Sequence, residues 1–163
     1  MAKWFTKDPA FDQEFCDKFL AAHTQAIEGN LAAWEETAEG MFALILLLDQ
    51  FPRNAFRDSP RTFATDGRAQ VAAEQAIAAG HDARVEVELR NFFYLPFQHA
   101  EDGGLQNRAV TLATPIGGEV LKYAELHRDI IKRFGRFPHR NAVLGRATTA
   151  AEQAFLDDGG FGG

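Results

Sequence analysis

The chain has 163 residues, 46% of them hydrophobic and fifteen of them phenylalanine, with a formal net charge of −6 and a sequence pI of about 5.3. That is enough apolar material for one sizeable core and too little length to expect two, and the acidic balance argues against nucleic acid, whose binding wants a basic surface. The single cysteine, Cys16, excludes an intrachain disulfide, and Met1-Ala2-Lys3-Trp4-Phe5 lacks the apolar run of a signal peptide, so the expectation is one cytoplasmic domain over 1–163.

Helical signals follow one another along the chain. Asp8 and Pro9 pair an N-cap with a first-turn proline, and Phe15, Phe19, His23 and Ala26 then mark an apolar face, predicting a helix from about Pro9 to Glu28 that stops at Gly29. His23 on that face reads as a satisfied core histidine. A second helix follows Thr37 and is apolar around most of its girth from Met41 to Leu48. That is the pattern of a helix surrounded by others, and far short of the roughly 20 residues that cross a bilayer, so no membrane span is expected. It closes at Phe51-Pro52-Arg53-Asn54-Ala55, where proline has no N–H to donate. Asp66 opens an alanine-rich helix ending at Gly80, and another runs from near Arg84 into Tyr94; Val85 to Leu89 alternates like a strand but Arg90-Asn91-Phe92-Phe93 breaks the period.

The final third repeats the pattern. Val120, Tyr123, Ala124, His127, Ile130, Ile131 and Phe134 recur at helical spacing before Gly135, which suits a left-handed cap. Phe137-Pro138-His139-Arg140-Asn141-Ala142 is a near-copy of the earlier Phe-Pro turn, and Thr149-Ala150-Ala151-Glu152 is a capping box that starts a short last helix. The glycine-rich segment 157–163 reads as a loose tail, with Phe161 its candidate anchor.

Three aromatic-proline turns thus punctuate the chain, the middle one being Tyr94-Leu95-Pro96-Phe97-Gln98-His99-Ala100-Glu101-Asp102. Helix ends leave backbone groups unpaired, so these turns deliver polar side chains where binding residues tend to sit. Asp49 falls at the end of the most apolar helix, where the helix dipole disfavours an anion, and it needs a cation. Arg53, four residues on, and Arg140, from the twin turn, are its candidates, in a structural clamp. Charge is also segregated: residues 1–50 carry nine Asp or Glu against three Lys, and residues 127–146 carry six Lys or Arg against Asp129 alone. The bland reading is mutual neutralisation on solvated faces; the sharper one is an anion site.

The strings LLLDQFPRNAF, FFYLPFQHAED and RFGRFPHRNAVLGR resemble the signature segments of the bacterial domain-of-unknown-function family 924, in order and over nearly the whole chain. The resemblance implies an all-α, single-domain array of helix hairpins in a tetratricopeptide-like right-handed superhelix, and it brings no established activity.

Several chemistries lack support. His99-Ala100-Glu101 and His127-Arg128-Asp129 set their possible ligand pairs two residues apart, on different sides of a helix, and no paired cysteines occur, so neither metal nor cofactor is expected. Ser59 is the only serine and there is no Gly-x-Ser-x-Gly elbow or phosphate loop. Two readings remain. The favoured one is a binding or scaffold module with a polar pocket for a small anionic, carboxylate-bearing or peptide ligand, drawn from Asp49, Arg53, Tyr94, His99, Glu101, Asp102, His127, His139 and Arg140. Histidine charge should strengthen such binding toward pH 6. The alternative is a hydrolase or other acid–base enzyme in which His99 shares proton transfer with Glu101 or Asp102 beside Arg53 and Arg140.

Overall fold

The computed structural model describes residues 9–162, and no strand occurs among them. The protein is all-α. Its residues fall into two compact units that divide between Pro96 and Phe97.

The first unit holds α1 (Pro9–Glu28), α2 (Ala38–Ile45), α3 (Phe51–Ala55), α4 (Asp66–Ala78) and most of α5 (Val87–Gln98). The proposed Asp8 cap of α1 lies outside the described residues. α1 ends as expected at Gly29, whose φ of +78° is the left-handed conformation that glycine adopts without strain. The Thr37 hydroxyl accepts from the Gly40 amide at 3.1 Å and opens α2, which buries Met41, Leu44 and Ile45.

The second helix does not stop at Pro52. Leu46–Gln50 instead forms a π turn joining α2 to α3, and the Phe51 amide donates to the Leu46 carbonyl five residues back. Pro52 withholds one backbone donor where the π turn passes into α3. It could serve neither the Leu48 carbonyl in α register nor the Leu47 carbonyl in π register, because it has no N–H. Side chains substitute: His23 Nδ1 donates to the Leu47 oxygen at 2.9 Å, and the Thr65 hydroxyl donates to the Leu48 oxygen at 2.6 Å. A carbonyl only accepts, so His23 carries its proton on Nδ1. Burial lowers the pKa of His23, against the pull of that hydrogen bond, and keeps the ring neutral. His23 is the satisfied core histidine its position suggested, packed 4.8 Å from the Phe51 ring.

α5 also departs from expectation. It begins at Val87, after a 3₁₀ turn at Asp82–Arg84, and continues through Pro96 to Gln98. Pro96 and Phe97 are among the most fully buried side chains, and packing outweighs one forgone backbone hydrogen bond so near the helix end.

The second unit carries α6 (Gly103–Ala113), α7 (Gly118–Phe134) and α8 (Ala150–Asp157). Gly103 and Gly104 do not interrupt a helix; they form the first turn of α6, capped by the Asp102 carboxylate, which accepts from the Leu105 amide at 2.8 Å. α6 and α7 pack together as a hairpin. α7 ends at Gly135 with φ +72°, and the Thr149–Glu152 capping box opens α8 with both reciprocal hydrogen bonds present. The core gathers Ile130, Ile131 and Phe137, with Phe134, Phe155 and Phe161 against them.

The segment read as a loose tail is tied down through Phe161. Gly159, at φ +78°, donates to the Leu156 carbonyl at 3.1 Å, and Gly160 to the Phe155 carbonyl at 2.9 Å. This pair of bonds is a Schellman motif. A Cβ on Gly160 would strike the Phe155 carbonyl oxygen and come within 2.6 Å of its ring carbons, so glycine is required for the close return.

Candidate functional site

Each Phe-Pro turn has its own partners within its unit. In the first unit, Asp49 is fully buried and Arg53, one of the arginines the sequence offered, pairs with it. Arg53 Nη1 stands 3.3 Å from Asp49 Oδ1, and Gln50 Nε2 donates to Oδ2 at 2.7 Å. Arg53 also donates to the Asp49 carbonyl at 2.6 Å and grips Asp66 through Nη1 and Nη2 at 2.9 and 3.0 Å. Burial works against the Arg53 charge, yet Asp49 and Asp66 more than restore it and hold its pKa above the usual value. Asp66, read only as a helix opener, is thus half of the clamp. Tyr94, also in this unit, donates to Asp82 at 2.7 Å; burial and that carboxylate push its hydroxyl up. A groove of about 280 Å³ runs along Leu31, Leu44, Leu48 and Val71, and no residue expected at the site lines it.

In the second unit His99, Glu101, His127, His139 and Arg140 come together, and Asp102 is given to the cap of α6. Glu101 accepts from the Phe137 amide at 2.8 Å and from Arg146 at 2.6 and 3.0 Å. Burial alone would raise the Glu101 pKa; Arg146, the Phe137 amide and Arg140 turn the balance and lower it. Arg140 is 6% exposed, donates to the His99 carbonyl at 3.0 Å and lies 4.5 Å from the centre of the Phe137 ring.

Four rings close on one another beside these charges. Phe137 meets His127 and His139 at 5.5 Å each, and Phe161 faces the same histidines at 4.7 and 5.3 Å. His99 stands 6.3 Å from His127. His139 Nδ1 is buried with no hydrogen-bond partner among the described residues. Burial and then Arg140, with His99 and Arg146 adding, lower the His139 pKa to about 4 against the opposing Glu101. His139 is therefore neutral at pH 6, which corrects the expectation that its charge would strengthen binding there. No group of three or more metal-ligating side chains occurs among the described residues.

The bacterial family of unknown function DUF924 has a model that matches residues 1–160. The chain belongs to DUF924. It is similar over 96% of its length, at 54% identity and a TM-score of 0.94, to the solved structure of a protein of unknown function from Agrobacterium tumefaciens, 89% of which is covered. No curated protein matches. The family resemblance carried by the three turns is thereby borne out, and the shared fold brings no activity with it.

Sequence reasoning found this DUF924 member's turns and missed their partners. Arg146 stood within the quoted RFGRFPHRNAVLGR string, but nothing in spacing pairs it with Glu101, 45 residues earlier. Glu152 was read only as a cap; it also receives Arg136 at 2.6 and 2.8 Å. No helix among the described residues is long and apolar enough to cross a membrane.

Proposed function

We propose that this protein is a non-catalytic binding module whose second unit takes a small carboxylate-bearing ligand at the Phe137-Pro138-His139-Arg140 turn. A single observation carries the reading: the Arg140 guanidinium lies against the Phe137 ring, which the His127 and His139 rings also meet, at one turn. Aromatic surroundings lower the local dielectric, which strengthens a charge-assisted hydrogen bond to an anion. The neutral His139 offers Nδ1 as a further donor or acceptor. A tetratricopeptide-like stacking of helix hairpins, implied by the family resemblance, would suit such a module.

The acid–base alternative draws less support. Both Glu101 oxygens already accept hydrogen bonds, and Asp102 is engaged with the Leu105 amide, so neither is poised beside His99.

The test is a thermal-shift and calorimetric screen of organic acids, inorganic phosphate and short peptides at low and high salt. A ligand at 100 times its Kd should stabilise the protein by about 2.7 kcal/mol. Its binding should weaken with salt and be lost in His139→Ala, while Arg53→Lys, in the clamp of the first unit, should bind normally. If no acid stabilises the wild type, the turn is architecture.

A further inference from the structure

Phe161, beyond the end of α8, closes the ring cage against His127 and His139. The Schellman motif fixes the path as far as Gly160, whose missing side chain lets the backbone fold tightly against Phe155. Beyond it only Phe161 and Gly162 remain among the described residues, and the side chain of Phe161 turns back onto His127 and His139. Without Phe161 the cage keeps three walls: Phe137 between the two imidazoles, with Arg140 held against the Phe137 ring.

We propose that Phe161 is a built-in occupant of the ligand's aromatic subsite, so that the ligand is an aryl carboxylate whose ring takes the place of Phe161 while the tail swings out at Gly160. This rests on the binding reading above. Three observations point to the class. The wall contributed by the tail is a phenyl ring, so the space it fills is ring-shaped, with the His127 and His139 rings centred 4.7 and 5.3 Å from it in edge-to-face geometry. The Arg140 guanidinium lies 4.5 Å from the centre of the Phe137 ring, which favours a negatively charged substituent on the ring that enters. The hinge is glycine on both sides of Phe161, so the displaced tail meets no steric barrier at its own backbone. A plug of this kind lowers apparent affinity by the fraction of time it is out, and removing it restores the intrinsic value.

Calorimetry with 3-phenylpropionate as probe tests this on the wild type, Phe161→Ala and a chain ending at Gly160, each first shown by circular dichroism to be helical. Propionate and 3-phenylpropanamide serve as the ringless and uncharged controls, and N-acetyl-Gly-Phe distinguishes a peptide C-terminus from a free acid as the source of the aryl carboxylate. Both altered chains should bind 3-phenylpropionate at least about tenfold more tightly than the wild type, and the two controls at least about tenfold more weakly than the acid. Unchanged affinity on removing Phe161, with binding still lost in His139→Ala, would overturn the plug and leave the binding site standing. Propionate binding as well as 3-phenylpropionate would overturn the aryl class. Absence of binding by every acid to every chain would overturn both this inference and the reading it rests on.

Discussion

Pro52 sits inside a continuous helical path, and the Thr65 hydroxyl stands in for the amide it lacks, so a double-mutant cycle can weigh that substitution. Thr65 is 4% exposed and donates to the Leu48 carbonyl at 2.6 Å. Thr65→Val preserves the shape and removes the donor, leaving a buried carbonyl unsatisfied at a cost of roughly 1–3 kcal/mol. In a Pro52→Ala background the new amide can reach the Leu48 or Leu47 oxygen, so the same change at Thr65 should cost about 1 kcal/mol less. Pro52→Ala alone should lose only the roughly 0.4–1 kcal/mol by which proline restricts the unfolded chain. Urea unfolding of the four chains, followed by circular dichroism, gives the coupling directly. Strict additivity, or a Thr65→Val loss below about 0.5 kcal/mol beside the intact proline, would refute the reasoning.

Other consequences are as direct. Glu152→Gln should destabilise by about 2 kcal/mol in chemical denaturation, because a buried carboxylate that receives Arg136 and the Thr149 amide loses its charge. Arg53→Lys should cost about 1–2 kcal/mol in the same assay, since a lysine cannot reproduce the two-point grip on Asp66 together with the contact to Asp49. His139 binds its proton more weakly folded than unfolded, so its contribution is complete above the ordinary histidine pKa of about 6.5 and is lost as pH falls toward about 4. Melting temperature measured between pH 7 and 5 should therefore decline with acidity, and His139→Asn should flatten part of that decline; an unchanged slope would contradict the buried neutral ring.

The helical class was legible because it is written locally, in Gly29, Gly135 and the Thr149–Glu152 box, each of which needs only its neighbours to act. The proline rule failed at Pro96 because packing outweighs one forgone hydrogen bond near the helix end, and at Pro52 because other groups take over the carbonyls. Proline ends a helix only when nothing else meets the backbone groups it abandons, and the groups that rescue Pro52 are His23 and Thr65, distant in sequence. The same distance hid Asp66 behind Arg53 and Arg146 behind Glu101, because long-range ion pairs leave no periodic trace. The histidines were visible as residue types, but their convergence on Phe137 and Phe161 is a property of packing. Phe161 stood out only as an aromatic among glycines.

The central claim, that the Phe137-Pro138-His139-Arg140 turn holds a carboxylate ligand, is tested most directly by nuclear magnetic resonance of the histidine rings during titration with 3-phenylpropionate. Saturable shifts at the His127 and His139 imidazoles and at the Phe137 amide, with His23 in the first unit unmoved, are the predicted result. Shifts that fail to saturate, or that fall equally on His23, would contradict it.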